Sequence, residues 1–210
     1  MWRPIPVLIP LPDELLGPRV LVRPYCPGDG AALWEAIEES RQHLQPWLPW
    51  EKNHRAPPDS EAYVRRAHRE WVLREDLHAG IWERESGRLL GGSGLHPRGW
   101  RRCGFEIGYW IRKSAEGHGY VREAVSLLTR FAFERLEARR VEIRCHSRNE
   151  RSARVAKRLG FTLEGCLRNA GIDNDGQPHD ILVFALIPED YQRCRDHWPP
   201  GEARQVTDTA

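Results

Sequence analysis

No stretch of the 210-residue chain approaches about 18 consecutive apolar residues, so no membrane span is predicted. There is no CxxC pair either. Cys26, Cys103, Cys145, Cys166 and Cys194 are scattered, and an odd, unpatterned set argues against a disulfide framework and against a zinc site. Several lie in apolar runs, where cysteine usually acts as a small buried hydrophobe. A reducing, cytoplasmic setting fits best. An excess of one charge is also missing: 32 Lys and Arg face 30 Asp and Glu, a net charge of +2. That is too little for a dedicated nucleic-acid binder, which concentrates positive charge, and short basic runs such as GWRRCGF read as solvated faces. The opening segment is apolar, but Pro4, Pro6, Pro10 and Pro12 oppose the helical core of a signal peptide.

What is present is the composition of a well-cored globular protein, 40% apolar and 30% charged, in a length suited to one ordinary domain or two small ones. Residues 1–18 read as an extended, proline-rich arm, and RVLVRPY (19–25) as a first strand. Helices are expected over 27–44 and over 59–76, the second with Asp59 or Ser60 as its cap. Between them, the loop 45–58 carries Trp47 and Trp50. A hairpin turns at Ser86-Gly87, and CGFEIGYWIR (103–112) follows as a strand. The segment 120–136 is an amphipathic helix with Val121, Val125, Leu128, Ala132 and Leu136 on one face. Then come a strand (139–147), a helix opened by Asn149 and closed by Gly160, two strands (161–170 and 179–187) and a short helix (188–198). Residues 197–210 read as a flexible tail, leaving 19–196 as a single domain. Helices interspersed among strands and hairpins indicate a mixed α/β fold.

Gly117 and Gly119 stand where the strand ending in GYWI hands over to the long helix. A helix N-terminus offers unpaired N–H groups and partial positive charge, and glycines ahead of it let an anion approach the backbone. A plain turn is the alternative on spacing alone. The loop lacks the GK[ST] ending of a P-loop, which disfavours ATP hydrolysis.

In sequence, the turn resembles the coenzyme-A-binding motif of the GNAT acetyltransferase superfamily, [QR]-x-x-G-x-[GA], with Glu116, Gly119 and Val121 in the three fixed places. Two of these depart from the strict pattern. An acid at Glu116 would repel a pyrophosphate, so its side chain is expected to point away. A second signature, N-x-x-S-x-x-[VA]…[LN]-G-F-x-x-E-G, is matched at Asn149, Ser152, Val155, Leu159, Gly160, Phe161, Glu164 and Gly165. HLQPWLPW and EIGYW further resemble the RimJ/RimL-like branch, which acetylates N-terminal amino groups of ribosomal proteins and includes small-molecule acetyltransferases. The likeness spans residues 19 to about 190. It implies a GNAT fold: a mixed, mostly antiparallel sheet of about seven strands, splayed in the middle and flanked by about four helices.

The same resemblance implies acetyl-CoA as co-substrate and no metal. The pantetheine arm would pair with backbone around Tyr109, Trp110 and Ile111. The amides of Gly117, His118, Gly119, Tyr120 and Val121 would hold the pyrophosphate. Asn149 would cap its helix and bond the pantetheine amide, and Ser152 would donate to the leaving thiolate. Glu106 occupies the place of a catalytic glutamate. A second glutamate expected in this branch falls at Gly171 and is absent, with Asp173, Asp175, His179 and Asp180 nearby in sequence. Trp47, Trp50 and Trp82 could line an acceptor pocket. Cys145 and His146 are adjacent on a strand and so point to opposite faces, which forbids a dyad.

The missing acid bears on the acceptor. With a pKa near 7.7–8.0, roughly 10–20% of an α-amine is neutral at pH 7, against about 0.04% of a lysine amine. This favours a protein N-terminus, such as that of a ribosomal protein. A small-molecule amine acetyltransferase and a non-catalytic CoA-binding module remain as alternatives. No membrane or direct nucleic-acid partner is expected, and a homodimer is allowed.

Overall fold

In the computed structural model residues 9–205 are described; the first part of the proline-rich arm and the last five residues lie outside them. Apolar alternation assembles the strand segments into one nine-stranded sheet. In chain order the strands are β1 (Glu14–Leu16), β2 (Val20–Pro24), β3 (Leu77–Glu83), β4 (Leu89–Pro97), β5 (Gly104–Ile111), β6 (Arg140–His146), β7 (Thr162–Ile172), β8 (Pro178–Leu186) and β9 (Glu202–Arg204). Their order across the sheet is β7-β8-β6-β5-β4-β3-β2-β1-β9. The helices are α1 (Gly30–Leu44), α2 (Pro57–Leu73), α3 (Tyr120–Arg135), α4 (Glu150–Arg158) and α5 (Pro188–Cys194).

Against the about seven strands and about four helices implied by the resemblance, the described residues form nine strands and five helices. The two further strands come from a segment read as an extended arm and from one read as a flexible tail. Part of the N-terminal arm forms β1, and β9 from the expected tail pairs with it, Leu15 opposite Ala203. Trp198, also in that tail, is buried in the core. Neither three-residue strand has a periodicity long enough to read.

Two apolar clusters cover the sheet. Ala124, Val125, Leu128 and Ala132 of α3 pack with Phe105, Ile107, Val141 and Ile143. Leu33, Ala36 and Ile37 of α1 pack with Val64 and Ala67 of α2 over Tyr25 and Leu89. Each large side chain so buried contributes roughly 1.5–3 kcal/mol. The start of α2 differs from expectation. Ala56 is the N-cap, Pro57 and Pro58 open the first turn, and Asp59 Oδ2 accepts from the Arg55 N–H at 3.0 Å. Proline suits that turn because its missing N–H is unpaired there in any case.

The sheet splits in its middle. β5 and β6 run parallel and pair only at Gly104–Arg140, Phe105–Val141 and Glu106–Glu142. Beyond Glu106, β5 stays with β4 as far as Ile111, while β6 stays with β8 as far as His146. The wedge that opens between them is the splay implied by the family resemblance.

Candidate active site

Just past the end of β5, Arg112 is buried, and its guanidinium is tied to α1 through Glu35 (2.7 Å) and Glu39 (2.9 Å) and to the Leu89 carbonyl (3.0 Å). This clamp fixes the direction in which the chain enters the glycine turn. Gly117 and Gly119 both have φ +81°, the left-handed region that favours glycine, and Gly119 is the N-cap of α3. A Cβ on Gly117 would meet nothing within 4 Å, so the turn leaves open space at the helix N-terminus. Arg19 braces the turn: its Nη1 donates to the His118 carbonyl at 2.8 Å, and its Nε donates to Glu123 Oε2 at 2.9 Å. The imidazole of His118 stacks on Tyr120.

A cleft of about 850 Å³ occupies the wedge between β5 and β6. Its lining includes Glu106, Tyr109, Trp110, Ile111, Val121, Asn149 and Ser152, all singled out from the sequence. The turn borders it at Glu116 and Val121, while Gly117, His118, Gly119 and Tyr120 are not among the lining residues. Glu116 faces this space rather than pointing away. Burial works to raise its carboxyl, but Lys113 and Arg151 hold it below the ordinary value. Those two cations offset the charge that would have repelled a phosphate; His43 Nε2 lies 3.1 Å from the carboxylate, with burial lowering its pKa.

Across the cleft, the Tyr109 hydroxyl donates to the Ser152 carbonyl at 3.0 Å, and Ser152 Oγ donates to the Tyr109 oxygen at 3.1 Å. Burial pushes the Tyr109 phenol well up, opposed by the Ser152 hydrogen bond, so it stays protonated. Asn149 Oδ1 accepts from the Ser152 N–H at 3.0 Å and caps α4 as expected. Glu106 is held by Arg98 and, at 3.5 Å, by Arg144.

Near the absent acid, cross-strand pairing sets His179 opposite Gly171. Its imidazole stacks on His146 at 4.0 Å between ring centres, and Trp47 meets His146 edge-on at 5.4 Å. Among the described residues, the buried His179 Nδ1 has no hydrogen-bond partner. Asp173 and Asp180 serve backbone N–H groups of the loop and strand: Asp173 Oδ1 accepts from Gln177 at 2.8 Å, and Asp180 Oδ1 from Asn169 at 2.9 Å.

A second cavity, of about 550 Å³, lies under α1 and α2. It shares Leu48, Gly108, Tyr109 and Trp110 with the cleft, so the two spaces meet at the middle of β5. A chain of edge-to-face rings lines it: Trp110–Trp50 (5.7 Å), Trp50–His54 (5.7 Å), His54–Tyr63 (5.4 Å), Tyr63–His78 (5.7 Å) and His78–His96 (5.2 Å). Contacts of this kind contribute about 0.5–1.5 kcal/mol each and hold the rings in register. Burial lowers His54 to about 4, leaving it neutral.

The two loop tryptophans are therefore divided. Trp50 lines the ring-walled cavity and Trp47 the cleft, whereas Trp82 lines neither and packs in the core under the Arg23 guanidinium at 4.0 Å. Sequence reading missed Tyr63, His78, His96 and Asp76, which lie on different elements. Their one signal was the run GGSGLH: Gly92 and Gly94 leave room for the rings of Trp110 and His96, which a Cβ would meet at 2.4 and 2.7 Å.

Residues 19–162 match the family model described as the acetyltransferase (GNAT) domain. YdaF of Bacillus subtilis (strain 168), provisionally named a ribosomal N-acetyltransferase, is 32% identical over 177 residues, covering 82% of this chain and 93% of its own. The [ribosomal protein uS5]-alanine N-acetyltransferase of Escherichia coli K12 is 25% identical over 187 residues, 87% of this chain and 91% of its own. Among solved structures, the ribosomal L7/L12 α-N-protein acetyltransferase RimL in complex with coenzyme A shares the fold, with a TM-score of 0.75 at 24% identity, covering 85% of this chain and 97% of that one.

Proposed function

Since the chain belongs to the GNAT acetyltransferase family, in its RimJ/RimL-like branch, and is thus an acetyl-CoA-dependent N-acetyltransferase, we propose that its acceptor is a protein N-terminal α-amine, as in ribosomal-protein acetylation. One observation carries the reading: two separate spaces meet at Gly108, Tyr109 and Trp110. Acetyl-CoA fills the cleft in the wedge, and the amine comes through the ring-lined cavity, so both reach β5 together in a ternary complex.

The donor side has its parts in order. The open backbone at Gly117 and Gly119, braced by Arg19, takes the pyrophosphate at the start of α3. The edge of β5 that β6 leaves uncovered beyond Glu106, from Ile107 to Ile111, holds the pantetheine arm, with Asn149 across the wedge. The paired hydroxyls of Tyr109 and Ser152 stabilise the leaving thiolate. Glu106, matched by Arg98 and Arg144, keeps the acetyl end of β5 in place.

Three things support an N-terminal α-amine. Relatives named for ribosomal-protein acetylation match over most of this chain. The acid expected at Gly171 is missing, and an amine of low pKa needs less help to lose its proton. The cavity wall is made of rings, which suits a first residue's side chain. The same ring-lined wall favours a second acceptor class, a small aromatic or cationic amine. A panel of ribosomal-protein N-terminal peptides, polyamines and aminoglycosides, read by thiol release from acetyl-CoA, tests the choice. The peptide reading fails if the small amines turn over and the peptides do not.

A further inference from the structure

We infer that His96, oriented by Asp76, is the base that takes the proton from the attacking amine. The inference rests on the reading that an amine meets acetyl-CoA at the middle of β5.

His96 and Asp76 come together through strand pairing. His96 lies on β4 opposite Glu106, and Asp76 immediately precedes β3. His96 Nδ1 is 2.6 Å from Asp76 Oδ1. A carboxylate at that nitrogen fixes the imidazole with its proton on Nδ1 and the lone pair on Nε2. Asp76 is well suited to the task. Burial works to raise its carboxyl, but hydrogen bonds from His78 and His96 hold it well below the usual carboxylate range. It also accepts from the Leu77 N–H at 2.8 Å.

The other end of the ring faces the meeting point. The imidazole lies over two glycines: a Cβ on Gly94 would stand 2.8 Å from Nε2, and one on Gly108 would stand 3.3 Å from it. Gly108 is one of the residues shared by the two spaces. Among the described residues Nε2 has no hydrogen-bond partner, and His96 lines the ring-walled cavity. A free imidazole nitrogen, aimed by a carboxylate and placed where the amine arrives, is the geometry of a general base.

The other charged groups near the ring are accounted for. Glu106, its cross-strand neighbour, is engaged by Arg98 and Arg144. His78 Nε2 is shared between Asp76 (3.2 Å) and Glu70 (3.3 Å), and its Nδ1 meets the Tyr63 hydroxyl at 3.2 Å. His179 lies in the cleft with its ring pressed on His146. In the reaction the amine nitrogen bonds to the acetyl carbon and the C–S bond breaks. One N–H proton passes to His96 Nε2 and later to solvent. The thiolate departs as coenzyme A and is protonated from solvent.

Two experiments test this. The first needs no acceptor. Histidine ¹⁵N spectra of the intact protein, assigned by comparison with His96→Gln, are expected to show His96 with its proton on Nδ1, and that tautomer should be lost in Asp76→Asn. A proton on Nε2 in the wild-type protein overturns the inference even if no acceptor has been found. The second is kcat/KM against pH with an N-terminal peptide that the wild type acetylates. His96→Gln is expected to lose about 10²- to 10⁴-fold near pH 7 and to recover much of that near pH 9, with unchanged affinity for acetyl-CoA. Asp76→Asn should fall in the same direction, and Glu106→Gln should show a loss that does not vary with pH. An unaltered profile in His96→Gln, or the pH-dependent loss appearing in His179→Gln instead, overturns it. A wild type that turns over no amine refutes the function proposed above and leaves the tautomer measurement to decide on the dyad.

Discussion

A Cβ placed on Gly171 would stand 2.3 Å from Nε2 of His179, its cross-strand partner. The position at which the family resemblance implies a glutamate is therefore occupied in space by an imidazole, and the glycine is what lets the imidazole in. Gly171 has no left-handed φ, so backbone geometry does not forbid a side chain; the neighbouring ring does. Gly171→Glu is accordingly expected not to restore an acid. It should displace His179 and lower stability by about 1–3 kcal/mol, the usual range for overpacking. Thermal melts of Gly171→Ala and Gly171→Glu check this, and Gly171→Glu,His179→Ala should recover part of the loss by removing the ring.

Ser152→Ala and Tyr109→Phe remove opposite halves of one hydroxyl pair. A donor that matters as charge develops on sulfur lowers turnover rather than binding. Each variant is expected to lose roughly 10- to 1,000-fold in kcat with little change in acetyl-CoA affinity. Because the groups act as a unit, the double variant should lose less than the product of the two. Fully multiplicative losses would separate them.

Gly119→Val sets a branched side chain at φ +81° in the turn that begins α3. The strain alone costs about 1–2 kcal/mol, so stability and binding are to be measured together. Calorimetry should show acetyl-CoA affinity falling at least tenfold in a sample that melts as one folded species. Full affinity in such a sample would remove the turn from the cofactor site.

Much of this arrangement was legible in the sequence. The strand–turn–helix from Glu106 to Val125 carries its own punctuation, and Asn149, Ser152 and Gly160 mark a helix with a cap and a stop. The cleft follows because its lining comes from those consecutive stretches. The ring-lined cavity was hidden for the opposite reason. Trp50, Tyr63, His78 and His96 sit on a short 3-10 turn of helix (Pro49–Asn53), an α-helix and two strands, and only register brings His78 opposite Gly94 and His96 opposite Glu106. The missing acid at Gly171 was visible by counting. The imidazole in its place was not, since that depends on pairing across the hairpin of β7 and β8.

The Arg112 clamp gives a stability test away from the chemistry. Burial works to raise Glu39, but hydrogen bonds from Arg112 and Ser114 outweigh it and lower the carboxyl from 4.5 to about 2. A depressed carboxylate stabilises the fold above its unfolded pKa and loses that contribution as pH falls through the folded value. Urea unfolding should therefore show wild-type stability declining between about pH 4.5 and pH 2, in part through Glu39. Arg112→Leu should be weaker by about 1–3 kcal/mol at pH 7, since the Leu89 carbonyl loses its side-chain donor, while Glu35 and Glu39 are exposed enough to be hydrated. Its decline over that acid range should be shallower. Equal slopes would show that Glu39 draws its depressed value from elsewhere.

The central claim, that an α-amine meets acetyl-CoA where the two spaces join at β5, is tested most directly by following the acetyl group itself. Purified protein with acetyl-CoA and a ribosomal-protein N-terminal peptide carrying an internal lysine is assayed for thiol release, and the product is sequenced by tandem mass spectrometry. The account predicts one acetyl per peptide, on the α-amine, and predicts that Gly108→Val, which fills the junction shared by the two spaces, abolishes transfer. Acetyl on the lysine side chain, or transfer undiminished in Gly108→Val, would contradict it.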